Sequence, residues 1–219
     1  LAGDRREPLE AVRREIGTTV RAAAEVRIAE IDLARTGAAE ELHAFTEREG
    51  IAVDVLINNA GIFSFLDILR TPAERIERII LLHDLTNTQL CRLYAADMAR
   101  RGRGGHILNM SSYSLWMPFP GLSLYSASKA YQINYAEGLR QRFARLRIPV
   151  RVTDVRPGLT ATAMARGEGL FWVMPVERVV GQILRAIRRR KAVAVVTRRW
   201  RLVAWILRRL PDRIYLNVR

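Results

Sequence analysis

A short apolar strand that leads directly into a polar turn occupies residues 53–61, Val53-Asp54-Val55-Leu56-Ile57-Asn58-Asn59-Ala60-Gly61. The apolar run 53–57 is typical of a strand buried in a parallel sheet. In open parallel sheets, ligands bind just beyond the carboxyl ends of the strands. The turn 58–61 is therefore a candidate binding segment.

Strand-like runs and helical segments alternate on both sides of this strand. Strands are predicted at 25–31, 53–57, 106–110, 149–155 and 192–197, and helices at 6–15, 40–49, 72–101, 125–147 and 175–190. Helical crossovers of this length connect parallel strands. The order predicts a single-domain α/β fold, with a doubly wound, Rossmann-like parallel sheet covered by helices on both faces.

The composition bounds the class of protein. The chain has 219 residues, 49% of them hydrophobic, which is enough for one domain with a full core and excludes intrinsic disorder. Its single cysteine, Cys91, excludes an internal disulfide, and no apolar run reaches the roughly 20 residues that span a bilayer. No secretory leader opens the chain, so these features predict a cytoplasmic protein.

The formal net charge of +14 is concentrated near the C-terminus. Residues 185–219 contain 12 basic residues and 1 acidic residue, so the charge is not spread over a globular face and no nucleic-acid partner is expected. At 198–210, arginines and aliphatic residues take opposite sides of a helix around Trp205. We distinguish a domain at 1–197 from a basic segment at 198–219. That segment either packs on the domain or a second subunit, or holds the protein peripherally at a membrane surface.

Polar residues or tight turns follow four of the predicted strands, where a ligand would bind. Turn chemistry alone explains any one of these places. The candidates are Asp32-Leu33, the turn 58–61, Ser111-Ser112, and Pro157-Gly158 with Thr160 and Thr162.

Tyr125 and Lys129 stand four residues apart in a predicted helix and therefore share one face of it. A phenol with its ordinary pKa of about 10 is a poor base at neutral pH, and a nearby ammonium favours the phenolate. Lys129 and Lys191 are the only lysines among 36 basic residues. In so arginine-rich a chain, a lysine indicates a position where arginine cannot take over its function. Ser112, thirteen residues before Tyr125, makes the combination far more specific than the pair.

With these motifs, the sequence resembles the short-chain dehydrogenase/reductase family, the YxxxK oxidoreductases of Rossmann type, from Gly3 to about Thr197. The resemblance implies hydride transfer between a nicotinamide and a carbinol carbon or ketone, and it implies no metal. Tyr125 would act as acid or base, Ser112 would hold the substrate oxygen, and Lys129 would lower the pKa of Tyr125 and bind the nicotinamide ribose. The cofactor contacts that it implies are Asp32 and Leu33 near the adenine, Asn59, Ala60 and Gly61 beside the cofactor, and Pro157, Gly158, Thr160 and Thr162 by the nicotinamide.

His83 lies where the family usually has an asparagine of a proton relay. Histidine can carry a proton near neutral pH, but a single histidine within a helix is also a common structural residue. We therefore keep both roles for His83, with Asn87, one helical turn further on, as the alternative relay residue.

The family normally begins with a strand, a TGxxxGxG turn and a helix that receives the pyrophosphate, and no such segment occurs here. Leu1-Ala2-Gly3 resembles the end of the second family strand, so the first βαβ portion is expected to be missing, through fragmentation of a longer protein or natural loss. Two hypotheses remain. The protein is an NAD(P)-dependent oxidoreductase, or it is a non-catalytic Rossmann-fold binding or scaffold protein that has lost the pyrophosphate cradle.

Cofactor, substrate and assembly are also predicted. Asp4 could accept the ribose hydroxyls of NAD, whereas Arg5 and Arg6 could meet the extra phosphate of NADP, so NADP is preferred over NAD. Apolar, aromatic stretches at 113–119 and 164–174 favour a hydrophobic small-molecule substrate, such as a steroid, fatty-acyl or lipid-like alcohol or ketone. The family resemblance implies a homodimer or homotetramer.

Overall fold

A computed structural model describes residues 1–19, 24–63, 68–113, 121–162 and 173–196, together with Leu202 and Trp205. Strands and helices alternate through these residues. The strands are β1 (Ala2–Gly3), β2 (Ala29–Glu30), β3 (Val55–Asn58), β4 (Gly105–Met110), β5 (Val150–Pro157) and β6 (Val193–Val196). The helices are α1 (Arg6–Thr19), α2 (Ala38–Arg48), α3 (Ala73–Ile80), α4 (Asn87–Arg101), α5 (Ser123–Arg145) and α6 (Val176–Arg188), with a 3-10 turn at Ile68–Arg70 and a π-helical segment at Leu81–Thr86.

The described strands pair in parallel and form two sheets. β1 pairs with β2, while the larger sheet has the order β3-β4-β5-β6. In the larger sheet, β4 and β5 are in register from Gly105 opposite Val150 to Met110 opposite Val155. Because helices connect these parallel strands, the predicted α/β fold class is confirmed.

Helices cover the larger sheet on both faces. On one face, Ile107 belongs to a buried cluster with Met98 of α4 and Phe143 of α5. On the other face, Leu108 is buried in a cluster with Val179 of α6. Neighbouring residues of a strand point to opposite faces, so β4 is apolar in both directions, as expected for a central parallel strand.

β3 is covered incompletely. Along its sequence it pairs with β4, and its side chains Val55 and Ile57 are 52% and 58% exposed. The register sets Ile57 beside Leu108, on the face that α6 covers further along the sheet. Within the described ranges, no strand joins β3 to the sheet of β1 and β2. The exposed part of the larger sheet is therefore at β3.

Two sequence predictions need correction. The strand predicted at 25–31 shrinks to Ala29–Glu30, because β1 offers only a short edge on which the nitrogens of Ala29 and Ile31 bond to the carbonyls of Leu1 and Gly3. The helix predicted at 72–101 is interrupted by the π-helical segment. His106 of β4 is buried, and its imidazole is hydrogen-bonded to the Thr153 hydroxyl of β5 at 2.8 Å.

The basic segment 198–219 lies outside the described residues except at two positions. Leu202 and Trp205 are helical and are 58% and 54% exposed. None of the helices in the described ranges combines the length and the hydropathy that a membrane-spanning segment requires.

Candidate active site

Ser112 and Tyr125 meet where β4 ends and α5 begins. Ser112 follows β4 by two residues, and Tyr125 lies in the first turn of α5. Both side chains are buried, and the Ser112 hydroxyl is hydrogen-bonded to the Tyr125 phenol. The strand end and the helix start thus bring together two hydroxyl groups that the sequence separates by thirteen residues.

The Tyr125 phenol lies among aromatic rings. The ring centroids of Phe63 and His83 are 5.1 Å and 5.8 Å from that of Tyr125, both in edge-on arrangements. Burial raises the pKa of Tyr125 above its usual value, and the hydrogen bond with Ser112 partly opposes this increase. The phenol is therefore neutral at physiological pH and holds a proton that it can donate.

Lys129 is held one helical turn beyond Tyr125. Its side chain is 4% exposed, and Nζ donates to the carbonyl oxygen of Met110 at 2.9 Å and to Oε1 of Gln132 at 3.1 Å. Nζ also lies 5.7 Å from the centroid of the Tyr125 ring. Burial lowers the pKa of Lys129 to about 8. The ammonium thus remains charged at neutral pH, next to the phenol.

Ser111 has different surroundings from those of Ser112. Its hydroxyl donates to the carboxylate of Asp154 and also lies 3.1 Å from the carbonyl oxygen of Val155. Asp154 is fully buried and pairs with Arg156 through Nε at 2.6 Å. Ser111 therefore links β4 to β5, whereas Ser112 faces Tyr125.

His83 connects two elements of the site. Its Nε2 accepts a hydrogen bond from the backbone nitrogen of Ile62 at 2.9 Å, and its Nδ1 lies 2.8 Å from the Ser128 hydroxyl. The Ser128 hydroxyl donates its proton to the Tyr125 carbonyl, so Nδ1 must donate to Ser128. Burial, with the charge of Lys129, lowers the pKa of His83 to about 3. His83 is a neutral imidazole with a defined tautomer, and both ring nitrogens are bound to protein groups.

The turn 58–61 packs against this histidine. Asn58 Nδ2 donates to Oδ1 of Asn109 at 2.9 Å, which joins the ends of β3 and β4. Gly61 lies so close to His83 and Lys129 that an added Cβ would stand 3.3 Å from Nε2 of His83 and 3.7 Å from Nζ of Lys129. A side chain at Gly61 would occupy space directly in front of the lysine. Asn59 and Ala60 complete the turn, and Asn59 donates from its backbone nitrogen to the Ile57 carbonyl at 3.1 Å.

We expect Gly61→Ala to destabilise the protein by about 1–2 kcal/mol, because the new methyl group displaces His83 by a few tenths of an ångström in a packed interior. Gly138→Ala in α5 is the matched control. Nothing lies within 4 Å of a Cβ at Gly138, so we expect stabilisation by about 0.5–1 kcal/mol. Urea unfolding measures both changes, and equal shifts in the two variants would contradict the close packing at Gly61.

Asp32 and Leu33 follow β2 at the edge of the smaller sheet. Arg78 of α3 holds both carboxylate oxygens of Asp32, at 2.8 and 3.2 Å, and this interaction lowers the pKa of Asp32. Leu33 is buried, and its carbonyl accepts a hydrogen bond from Thr86 at 2.9 Å. Both residues are thus bonded to the helical stretch that also carries His83.

The turn after β5 contains the remaining candidates. Gly158 donates to the Val196 carbonyl of β6, and the Thr160 hydroxyl donates to the Gly158 carbonyl at 3.0 Å. Thr162 is exposed, and its hydroxyl reaches the Thr160 carbonyl at 3.4 Å. Pro157 is the last residue of β5. This turn lies at the same carboxyl-end edge of the sheet as Ser112. Most of the two apolar stretches, 113–119 and 164–174, lies outside the described residues.

Two polar residues of the site were missed by the sequence predictions. Arg78 binds Asp32 from 46 residues away, and Gln132 binds Lys129 from the next turn of α5. Gln132 could have been found by asking which polar residue shares the buried helix face with Tyr125 and Lys129, because residues three apart are neighbours on a helix. The sequence carries no local signal for Arg78.

The arrangement fits the reactive end of a nicotinamide cofactor. Lys129 offers an ammonium donor, and Gly61 leaves room in front of it that a Cβ would fill. Ser112 and Tyr125 place two buried hydroxyl groups at the same end of the sheet. Among the described residues, no glycine-rich turn at a helix N-terminus is available for the pyrophosphate, so the fit covers the nicotinamide end alone.

A parallel α/β sheet covered by helices on both faces, with Ser112, Tyr125 and Lys129 near the carboxyl ends of its strands, defines a Rossmann-type fold. The chain matches the short chain dehydrogenase family over residues 1–169, and it belongs to that family.

Named relatives are consistent with this assignment. The chain is 34% identical over 134 residues to the probable oxidoreductase EphD of Mycobacterium bovis, covering 60% of this chain and 22% of that protein. It is 32% identical over 158 residues to the NADP-dependent 3-hydroxy acid dehydrogenase YdfG of Salmonella typhi, covering 72% and 60%. A short-chain dehydrogenase from Sphingobium yanoikuyae, solved in complex with NADPH, shares the fold with a TM-score of 0.81 at 24% identity, covering 100% of this chain and 85% of that one. The chain thus spans about a fifth of EphD and 60% of YdfG.

Proposed function

We propose that this chain is the catalytic portion of an NAD(P)-dependent oxidoreductase that interconverts a hydrophobic alcohol and the corresponding ketone. The observation that carries the proposal is the buried cluster of Ser112, Tyr125 and Lys129, with the phenol hydrogen-bonded to Ser112 and the ammonium 5.7 Å from the phenol ring. Family membership supports the same reaction class.

In the proposed reduction, Tyr125 donates its proton to the carbonyl oxygen of the substrate while hydride reaches the carbonyl carbon. A nicotinamide cofactor held beside Lys129 and the turn 58–61 would supply that hydride in reduction and accept it in oxidation. Ser112 donates a hydrogen bond to the same oxygen and stabilises the negative charge that develops there. Lys129 stabilises the phenolate that remains, because an ammonium next to it favours the charged form. In oxidation, Tyr125 takes the hydroxyl proton back.

His83 has two roles in this proposal. The first is to position the turn 58–61 against α5 through its hydrogen bonds to Ile62 and Ser128. The second is a proton relay through its ring, which requires one of those two hydrogen bonds to open. Asn87 remains the alternative relay residue.

We also propose that NADP is preferred over NAD, and that a further βαβ portion completes the sheet beside β3. Arg5 and Arg6 are exposed directly after β1, and two relatives are NADP-dependent or bind NADPH by their names. Both faces of a parallel sheet are normally covered by helices, yet Val55 and Ile57 of β3 are exposed. Their exposure supports an additional strand and helix beside β3.

The substrate class, the oligomeric state and the role of the basic segment are also proposed. Tyr113 begins the apolar stretch after Ser112, which supports a hydrophobic substrate. We propose a homodimer or homotetramer, and a division into the domain 1–197 and the basic segment 198–219. The exposed helical positions Leu202 and Trp205 support contact of that segment with a membrane surface, with packing on a subunit as the alternative.

The test is a turnover assay with NADPH and NADH on bulky aliphatic, steroid-like and fatty-acyl ketones, followed by the absorbance of the reduced nicotinamide. The chain and the product of its complete coding sequence are assayed in parallel. Turnover by either supports the proposal. If both bind neither nucleotide and turn over no ketone, the non-catalytic scaffold hypothesis replaces it.

A further inference from the structure

Gln132 lies between Lys129 and the π-helical segment. Its side chain is 2% exposed, and its Oε1 accepts the hydrogen bond from Lys129 Nζ at 3.1 Å. Its Nε2 donates to the backbone carbonyl of His83 at 2.8 Å. One buried carboxamide thus connects the lysine of the site to Leu81–Thr86.

The two bonds determine the orientation of the carboxamide. An ammonium can only donate and a backbone carbonyl can only accept, so the oxygen must face Lys129 and the amino group must face His83. A buried amide that satisfies one partner on each side holds both partners at a defined distance. Because π-helical turns interrupt the regular helix ladder, an additional donor to a carbonyl there helps to stabilise the interruption.

The surroundings of Lys129 make this neutral acceptor important. Tyr125 lies on its own helix, His83 and Asp84 face it from the π-helical segment, and Asp154 acts from β5. Asp154 is already paired with Arg156. Burial raises the pKa of Asp84 to about 6, and its Oδ1 is buried with no hydrogen-bond partner in the described part of the chain. Within the described ranges, the direct partners of Lys129 Nζ are therefore two neutral oxygens, those of Met110 and Gln132.

We propose that Gln132 is a positioning residue for the reaction, which keeps Lys129 protonated and directed at the site by bridging it to the His83 carbonyl. This inference rests on the proposed function for its catalytic meaning, and on geometry alone for the bridge. Loss of the carboxamide removes a hydrogen-bond acceptor from a buried ammonium, so the ammonium form becomes less stable and the pKa of Lys129 falls. A carboxylate at the same position raises it, because an opposite charge favours the ammonium.

The experiment follows the titration of Lys129 directly by NMR, with lysine isotope-labelled at the ε-carbon. The chain has two lysines, Lys129 and Lys191, and the exposed Lys191 gives the reference signal. In the unaltered chain, Lys129 is expected to titrate at about pH 8. Gln132→Met, which keeps the length of the side chain and removes both hydrogen bonds, lowers that midpoint by about one pH unit. Gln132→Glu raises it.

Gln141→Leu is the matched control, because Gln141 is an exposed glutamine of the same helix that bonds only to Glu137 among the described contacts. It leaves the Lys129 midpoint unchanged. A Lys129 midpoint in Gln132→Met equal to that of the unaltered chain overturns the proposal. If Gln132→Met does not fold, Gln132→Glu decides, and the absence of an upward movement overturns it.

The same variants separate this inference from the proposed function. If the chain is an oxidoreductase, activity falls as pH rises through the pKa of Lys129, and Gln132→Met moves this decline to lower pH in step with the NMR midpoint. A protein without nicotinamide-dependent turnover refutes the proposed function but leaves the NMR titration as a complete test of the bridge. A pH profile that ignores the NMR shift refutes the positioning role.

Discussion

Replacement of Tyr125 by phenylalanine is expected to lower kcat/KM for the proposed ketone reduction by about 10³-fold, because the ring stays in place while the proton donor is lost. The aromatic contacts with Phe63 and His83 do not involve the hydroxyl group, so the fold is retained. The measurement is steady-state turnover followed by nicotinamide absorbance, with nucleotide binding followed by fluorescence. Binding is expected to persist while turnover disappears.

Tyr131→Phe provides the matched control for this variant. Tyr131 lies in the same helix, is 42% exposed and bonds through its hydroxyl to Thr88 at 2.9 Å. Its substitution removes a phenol of the same kind outside the site and leaves turnover unchanged. Equal turnover by Tyr125→Phe and the unaltered protein would refute Tyr125 as the acid.

The second large effect is expected for Lys129→Arg, which keeps the charge but lowers kcat/KM by at least about a hundredfold. The ammonium bonds to the oxygens of Met110 and Gln132, and Lys129 is only 4% exposed. A planar guanidinium is larger and needs acceptors in a different geometry, so it displaces its neighbours and costs about 1–3 kcal/mol of stability. Turnover and urea unfolding measure the two consequences.

Lys191→Arg is the control for the second variant, since Lys191 is exposed and follows the end of α6. We expect neither turnover nor stability to change. If Lys129→Arg also retains full turnover, a positive charge alone is sufficient, and the close fit of the ammonium has no part in the reaction.

Much of the fold followed from the sequence because its signals are local. Alternating apolar strands and helices predicted the parallel α/β architecture, and the four-residue spacing of Tyr125 and Lys129 placed them on one helix face. The least accurate prediction was the strand at 25–31. Its length depends on the partner edge, and β1 is too short to extend it.

The site depended more on contacts between distant segments. The bond of Gln132 to the His83 carbonyl spans 49 residues, and the pairing of Arg78 with Asp32 spans 46. From the sequence, His83 could be given two roles, whereas the folded chain defines its tautomer through Ile62 and Ser128. Hydrophobic periodicity and secondary-structure propensity describe neighbouring residues, so they do not predict contacts between residues this far apart in the sequence.

The sequence by itself determined the family and the order of the strands and helices along the chain, and it nominated Ser112, Tyr125 and Lys129 as site candidates, because each depends on residue type and short spacing. Only the tertiary structure decided how these side chains are held: the Lys129 ammonium by two neutral oxygens, and the π-helical segment by a buried glutamine. The physical reason is burial. Hydrogen bonds and pKa values at a buried site depend on which distant groups the fold removes from water together with it.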